Sequence, residues 1–251
     1  MKNLNVGRIG LLLLVSSLGL AACTPPIPEV VNTQVRFVNA ATTAGQGIDL
    51  DVYFDKTKKN TAALSYRGVF PDVNSYLTVN SGNLGFSLYK FNSLDIIKDA
   101  QTVETVKDKP KTVMLVGTTE TTDDTGDSAR PLEVLTLSDE TTIPAATKAR
   151  FRVVHAATAA GASKVSLYVT APNADLGLAT AAVRQFKYKD VYNYLDRSEG
   201  PVQIQATVED VASTVIVDSG PLNFVAGKTY TVVIFNPPSA SKLGMSLLTD
   251  K

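Results

Sequence analysis

"RFVNAATTAG", residues 36 to 45, and "RVVHAATAAG", residues 152 to 161, are one phrase written twice in a chain of 251 residues. The first copy is followed by "DLDVYF" at 49, "DVNSYL" at 72, "PKTVMLVG" at 110 and "LEVLTLSDE" at 132. The second is followed in the same order by "KVSLYV" at 164, "DVYNYL" at 190, "GKTYTVVIF" at 227 and "LGMSLLTD" at 243. Matching segments stay 111 to 118 residues apart, and collinear matches of this kind are the signature of an internal repeat. The expected organisation is a first unit over 33–143, a linker "PAAT" at 144–147 and a second unit over 148–251.

Within each copy the segments read as strands. Ile48, Leu50, Val52 and Phe54 alternate with Asp49, Asp51 and Tyr53, and Val165, Leu167 and Val169 alternate with Lys164, Ser166, Tyr168 and Thr170. Period two with one apolar face is a half-buried strand. "NSG" at 80–82, "SEGP" at 198–201 and "AGK" at 226–228 supply turns. No long helical periodicity is present, Trp is absent and aromatics make up 7%. The expected fold class is all-β: two tandem immunoglobulin-like β-sandwich domains. In "LNFVAGKTYTVVIF", Tyr230 is placed to bond back to nearby backbone as a tyrosine corner, with Val113 at the matching place in the first copy.

The first 22 residues read as a leader. Lys2 and Arg8 give a positive start, and Ile9 to Leu20 form an apolar run too short to cross a bilayer as a helix. Leu20-Ala21-Ala22-Cys23 resembles the bacterial lipobox, which implies cleavage before Cys23, the single cysteine of the chain, and diacylglyceryl modification of its thiol. Residues 23–32 then form a Pro-rich tether. Acyl chains on Cys23 are the expected link to a membrane. Thr24 after the Cys points to an outer membrane where the host has one, and otherwise to the outer face of the plasma membrane. Lys plus Arg equal Asp plus Glu at 24 each, so no net field favours nucleic acid, and none is expected as a partner.

The phrases "RVVHAA", "LYV", "DVYNYL" and "AGKTYTVVIF" together resemble the envelope domain known as domain of unknown function 4397. The second copy is the better fit, since the first has Asn39 for His155 and lacks the "AGKxYT" corner. The resemblance implies an all-β extracytoplasmic module on lipoproteins and surface proteins, and brings no catalytic residues with it.

Candidate chemistry is sparse. His155 is the single histidine, without a second His or a remaining Cys to build a metal site, and its counterpart Asn39 shares with it the capacity to hydrogen-bond a chain that turns at a strand end. No Gly-x-Ser-x-Gly, His-Glu-x-x-His or phosphate loop is present. Asp49 and Asp51 are expected on one solvated strand face. "TTETTDDTGDSARP", 118–131, is acidic but lacks the ordered calcium-loop spacing, and reads as a polar hairpin insertion. Tyr188, Tyr192 and Tyr194 are expected in a row on one strand face, the candidate ligand surface for a sugar ring or peptide. No catalytic residue, cofactor or metal is expected. The function expected is a lipid-anchored, non-catalytic binding or scaffolding module of the cell envelope, with an envelope protein or polysaccharide as partner. The alternatives are a carbohydrate- or peptidoglycan-binding surface protein and an extracytoplasmic enzyme.

Overall fold

The computed structural model describes residues 31–43, 46–119, 130–159, 164–208, 211, 214–236 and 243–250. The expected leader, Cys23 and most of the tether lie outside the described residues, as does the acidic core of the 118–131 insertion. Among the described residues every regular element is a strand: β1 Asn32–Thr43, β2 Gln46–Gly47, β3 Leu50–Phe54, β4 Thr57–Lys58, β5 Val69–Phe70, β6 Leu77–Asn80, β7 Gly82–Lys90, β8 Ile96–Thr105, β9 Lys111–Thr118 and β10 Glu133–Ser138, followed by β11 Lys148–His155, β12 Lys164–Thr170, β13 Val183–Lys187, β14 Val191–Ser198, β15 Gly200–Val208, β16 Val215–Phe224, β17 Thr229–Phe235 and β18 Gly244–Thr249.

Among the described residues no strand of 31–139 pairs with a strand of 148–250. In the C-terminal half one sheet runs β14-β11-β17-β18 and the other β13-β12-β15-β16. In the N-terminal half the corresponding sheets are β10-β9-β1, with β6, β5 and β2 taking turns along the far edge of β1, and β4-β3-β7-β8. The four sheets stack as layers with three apolar interfaces between them. One cluster, with Val35, Phe37, Leu50, Val52, Phe86 and Leu115, fills the N-terminal sandwich. A second, with Phe151, Val153, Leu167, Ile204, Phe224 and Val232, fills the C-terminal one. A third, with Val38, Ala40, Met114, Val154, Val233 and Phe235, lies in the seam between β1-β9 and β11-β17.

The opening phrases explain this layering. β1 and β11 lie in the middle of their sheets, each parallel to the penultimate strand of its own half, β9 or β17. Both faces of such a strand are covered, so its sequence reads as a nearly continuous apolar run. Phe37 and Phe151 point into the sandwich cores, while Val38 and Val154 point into the seam. The strand order therefore differs from the expected immunoglobulin arrangement, in which the first strand neighbours the second. Here β11 neighbours β14 and β17, and β12 belongs to the opposite sheet. A strand apolar on both sides is driven to the centre, where two layers bury it.

The side chain of Asn39 carries out the expected structural task. It is fully buried; its Nδ2 donates to the carbonyls of Ile48 at 2.5 Å and Leu64 at 2.9 Å, and its Oδ1 accepts from the Ala41 N–H at 3.1 Å. His155 has the same backbone surroundings. Its N–H donates to the Asp190 carbonyl at 3.0 Å and its carbonyl accepts from Lys189 at 2.7 Å, as Asn39 does with Gly68 at 3.1 Å and Arg67 at 2.8 Å. Its ring is buried against Phe186, 5.6 Å between centroids. Asn39→Ala strands the Ile48 carbonyl and the Ala41 N–H, while the Leu64 carbonyl keeps the Leu50 N–H at 3.1 Å, and is expected to destabilise the protein by about 2 kcal/mol, measured as a lower urea midpoint at unchanged m-value.

Two expectations need correction. Asp51 does not share a solvated face with Asp49: it is buried, bound to Lys58 Nζ at 2.8 Å and accepting from the Asn92 N–H at 3.0 Å, so it clamps two loops. Tyr230 makes the expected corner, its hydroxyl accepting from the Val225 N–H at 3.2 Å. Its structural counterpart is Lys111, however, and not Val113, because Arg36 lies opposite Thr112 and Arg152 opposite Thr231. The two-residue slip leaves every side chain on the same face, which is why period-two patterning does not reveal it.

Candidate functional site at the seam between the halves

Arg36 and Arg152 interrupt the apolar seam faces of β1 and β11 at equivalent positions. Both are buried. Arg36 donates through Nε to Thr112 Oγ1 at 2.8 Å, through Nη1 to the Thr249 carbonyl at 2.8 Å, and through Nη2 to Asp250. Arg152 donates through Nε to Thr231 Oγ1 at 2.8 Å, through Nη1 to the Ser138 carbonyl at 2.8 Å, and through Nη2 to Asp139. Each arginine thus crosses the seam to the carboxylate that follows the last strand of the other half.

Tyrosine and threonine complete the set. Tyr76 Oη donates to Asp139 Oδ2 at 2.7 Å, and Tyr194 Oη to Asp250 Oδ2 at 2.5 Å. Thr112 donates to Asp139 at 2.7 Å and Thr231 to Asp250 at 2.9 Å. The Arg36 guanidinium lies 4.7 Å from the Tyr76 ring centroid and that of Arg152 4.8 Å from Tyr194, within cation–π range. Two cations and two anions alternate with no net charge, and Arg36 also stands 3.8 Å from Asp139. Burial alone would lower the Arg36 pKa, but Asp139 and Asp250 outweigh it and hold the guanidinium above its ordinary value. Burial pushes the Asp139 carboxyl up, and Arg152 opposes this. Burial also raises Tyr76 and Tyr194, helped by the carboxylates they bond.

Apolar contacts surround this quartet. Val38 matches Val154, Ala40 matches Ala156, and Leu137 matches Leu248. Tyr66 and Tyr188 flank the cluster from the two halves, and Tyr66 Oη donates to the Asn236 carbonyl at 3.1 Å. Burial raises Tyr66 to about 12 and raises Tyr188 as well. At the rim Lys189 pairs with Glu133 at 2.7 Å and Arg130 donates to the Thr158 carbonyl at 2.6 Å.

The three tyrosines expected in one row do not share one strand face, although Tyr192 and Tyr194 both line one groove. Tyr192 pairs with Val153 and Leu195 with Phe151, so β14 carries one extra residue between them. That bulge breaks the alternation. Tyr192 packs against the C-terminal core and lies along a shallow groove of about 400 Å³ with Val183, Phe186 and Asn193. Tyr194 turns to the quartet and Tyr188 to the seam cluster. The residues that carry the seam, Arg36, Asp139, Arg152, Asp250, Thr112, Thr231 and Tyr76, were not among the expected site residues. A signal was available for the arginines, aspartates and tyrosines, which stand at matching places of the quoted segments, whereas the slip sets Thr112 against Thr229 in the sequence and hides its likeness to Thr231; a charge inside a strand without a polar face must find a buried partner.

The fold and seam define an all-β protein of four stacked sheets, closed internally by reciprocal ion pairs. The chain belongs to the family described as Domain of unknown function (DUF4397), whose model matches residues 33–168. No curated protein sequence matches the chain. Among solved structures, it is similar to the Bacillus anthracis TIE protein at 9% identity and a TM-score of 0.24, over 82% of this chain and 51% of that one. It is also similar to a leucine-rich repeat protein from Bacteroides thetaiotaomicron at 11% identity and a TM-score of 0.19, over 80% of this chain and 25% of that one. The chain spans about half the length of the first and a quarter of the second.

Proposed function

We propose that this protein is a lipid-anchored, non-catalytic envelope module: two tandem sandwich domains that act as one stiff unit and present a binding or scaffolding surface to an envelope protein or polysaccharide. The observation that carries this reading is the seam. In its quartet the charged, threonine and tyrosine side chains are spent chiefly on one another, with the arginine of each half held by a carboxylate of the other, an arrangement suited to holding two domains at a fixed angle. The anchor rests on Leu20-Ala21-Ala22-Cys23, and membrane attachment through more than one acyl chain is stable without a spanning helix.

The test is fractionation with lipid labelling. Wild-type protein is expected in the membrane fraction and labelled by a fatty-acid probe, whereas Cys23→Ala is expected to lose the label and to shift at least about tenfold toward the soluble fraction. Membrane retention of Cys23→Ala without label would refute the anchor. Crosslinking of the wild-type protein in intact envelopes then identifies its neighbours; a scaffolding role requires a partner recovered reproducibly at one face.

A further inference from the structure

We propose that the seam face of the N-terminal half is complementary to itself, so that a second copy of this half can dock on it. The contact between the halves has the logic of a two-fold interface, in which residue i meets j and j meets i. Arg36 reaches Asp250 and the Thr249 carbonyl, and Arg152 reaches Asp139 and the Ser138 carbonyl. Every polar group that the C-terminal half brings to the quartet has its like in the N-terminal half: arginine, threonine, tyrosine, aspartate and the carbonyl before it. In a pair of N-terminal halves, Arg36 of each copy meets Asp139 of the other, again with two cations and two anions. Tyr76 and Thr112 already donate to Asp139 within one half, so a second copy has only to supply its arginine.

The apolar surround agrees with this. The apolar positions that differ are Met114 against Val233, Val116 against Phe235 and Leu135 against Ser246, and at the rim Glu133 stands where the C-terminal half has Gly244 beside Arg67. Two of the three give the N-terminal half the larger residue, which offsets part of the missing phenylalanine volume. What a like pair lacks is the set of contacts on Phe235, with Tyr66 at 6.1 Å and Arg67 at 5.7 Å between centres. Like pairing is therefore weaker than the internal contact. Within the intact chain the linker also holds the halves at an effective concentration on the order of millimolar, so the internal pair prevails. Cutting the connection between β10 and β11 removes that advantage.

The experiment is to insert a site-specific protease sequence between Thr142 and Ile143, both exposed, in the full chain, to cut it, and to weigh the complexes by native mass spectrometry. The expected result is N/C pairs together with N/N pairs, the latter weaker by no more than about a hundredfold. N-terminal halves found only alone or with C-terminal halves, at concentrations beyond that margin, overturn the proposal. A second cut chain carries Arg36→Glu and Asp139→Arg. Two such N-terminal halves again match cation to anion. Against the C-terminal half, the carboxylate now at position 36 faces that of Asp250, and the guanidinium now at position 139 faces that of Arg152. The preference is expected to invert in favour of N/N pairs, and a retained preference for N/C pairs overturns the proposal.

Discussion

Arg36→Ala is expected to cost the folded protein about 3–5 kcal/mol, among the largest single-residue effects in the chain. The reason lies less in the lost attraction than in what stays behind. Asp250 keeps its donors Thr231 and Tyr194 but loses its counter-charge in a site closed to water, and an unpaired buried carboxylate is strongly destabilising. Thr112 Oγ1 and the Thr249 carbonyl lose their donors at the same time. The double variant Arg36→Met with Asp250→Leu is expected to be less destabilised than Arg36→Ala alone, because it removes the cation and the anion together and fills their space with apolar groups. Urea unfolding of wild type, Arg36→Met, Asp250→Leu and the double variant closes a cycle whose coupling is expected to exceed about 1.5 kcal/mol. A loss below about 1 kcal/mol for Arg36→Ala, the level of a solvent-exposed ion pair, would mean that water reaches the quartet.

The second large effect is alkaline. Tyr66, Tyr76, Tyr188 and Tyr194 border the seam, and burial raises the pKa of each. A tyrosine whose folded pKa exceeds its unfolded value near 10 stabilises the fold fully below that pH. As pH rises further the unfolded chain releases the proton and the folded chain keeps it, so stability falls by about 1.4 kcal/mol per pH unit for each such group. The window opens at about pH 10 and extends to about 12 for Tyr66 and beyond for the others. Tyrosinate absorbance and circular dichroism followed together are expected to show these four ionising in one cooperative step with loss of structure. Ionisation of all nine tyrosines near pH 10 with the fold intact would contradict the buried seam.

Much of the fold was legible because side-chain period reports strand faces directly. Ile48, Leu50, Val52 and Phe54 all enter the N-terminal core, and Val165 and Leu167 enter the C-terminal one. The immunoglobulin strand order failed because alternation says which face is buried and nothing about which strand lies alongside; the clue to the centre of each sheet was the absence of alternation in "RFVNAA" and "RVVHAA". The tyrosine row failed at two places: Tyr188 lies in the turn before β14, and one extra residue, the β14 bulge, separates Tyr192 from Tyr194, which no local pattern marks. The quartet was the hardest to read. Arg36 and Asp250 are 214 positions apart, and nothing near either one names the other.

That separation has a consequence for the order in which the protein assembles. Contacts within the N-terminal half close over much shorter loops, so this half is expected to complete its core while Asp250 is still unplaced and the seam to close last. Until then the apolar face of β1 and β9 is exposed with a hydrated guanidinium at its middle. A charge set in the middle of an apolar sheet face discourages wrong apolar surfaces from packing against it. The arginine that locks the finished molecule thereby guards the unfinished one, and its role changes when the carboxylate after β18 arrives.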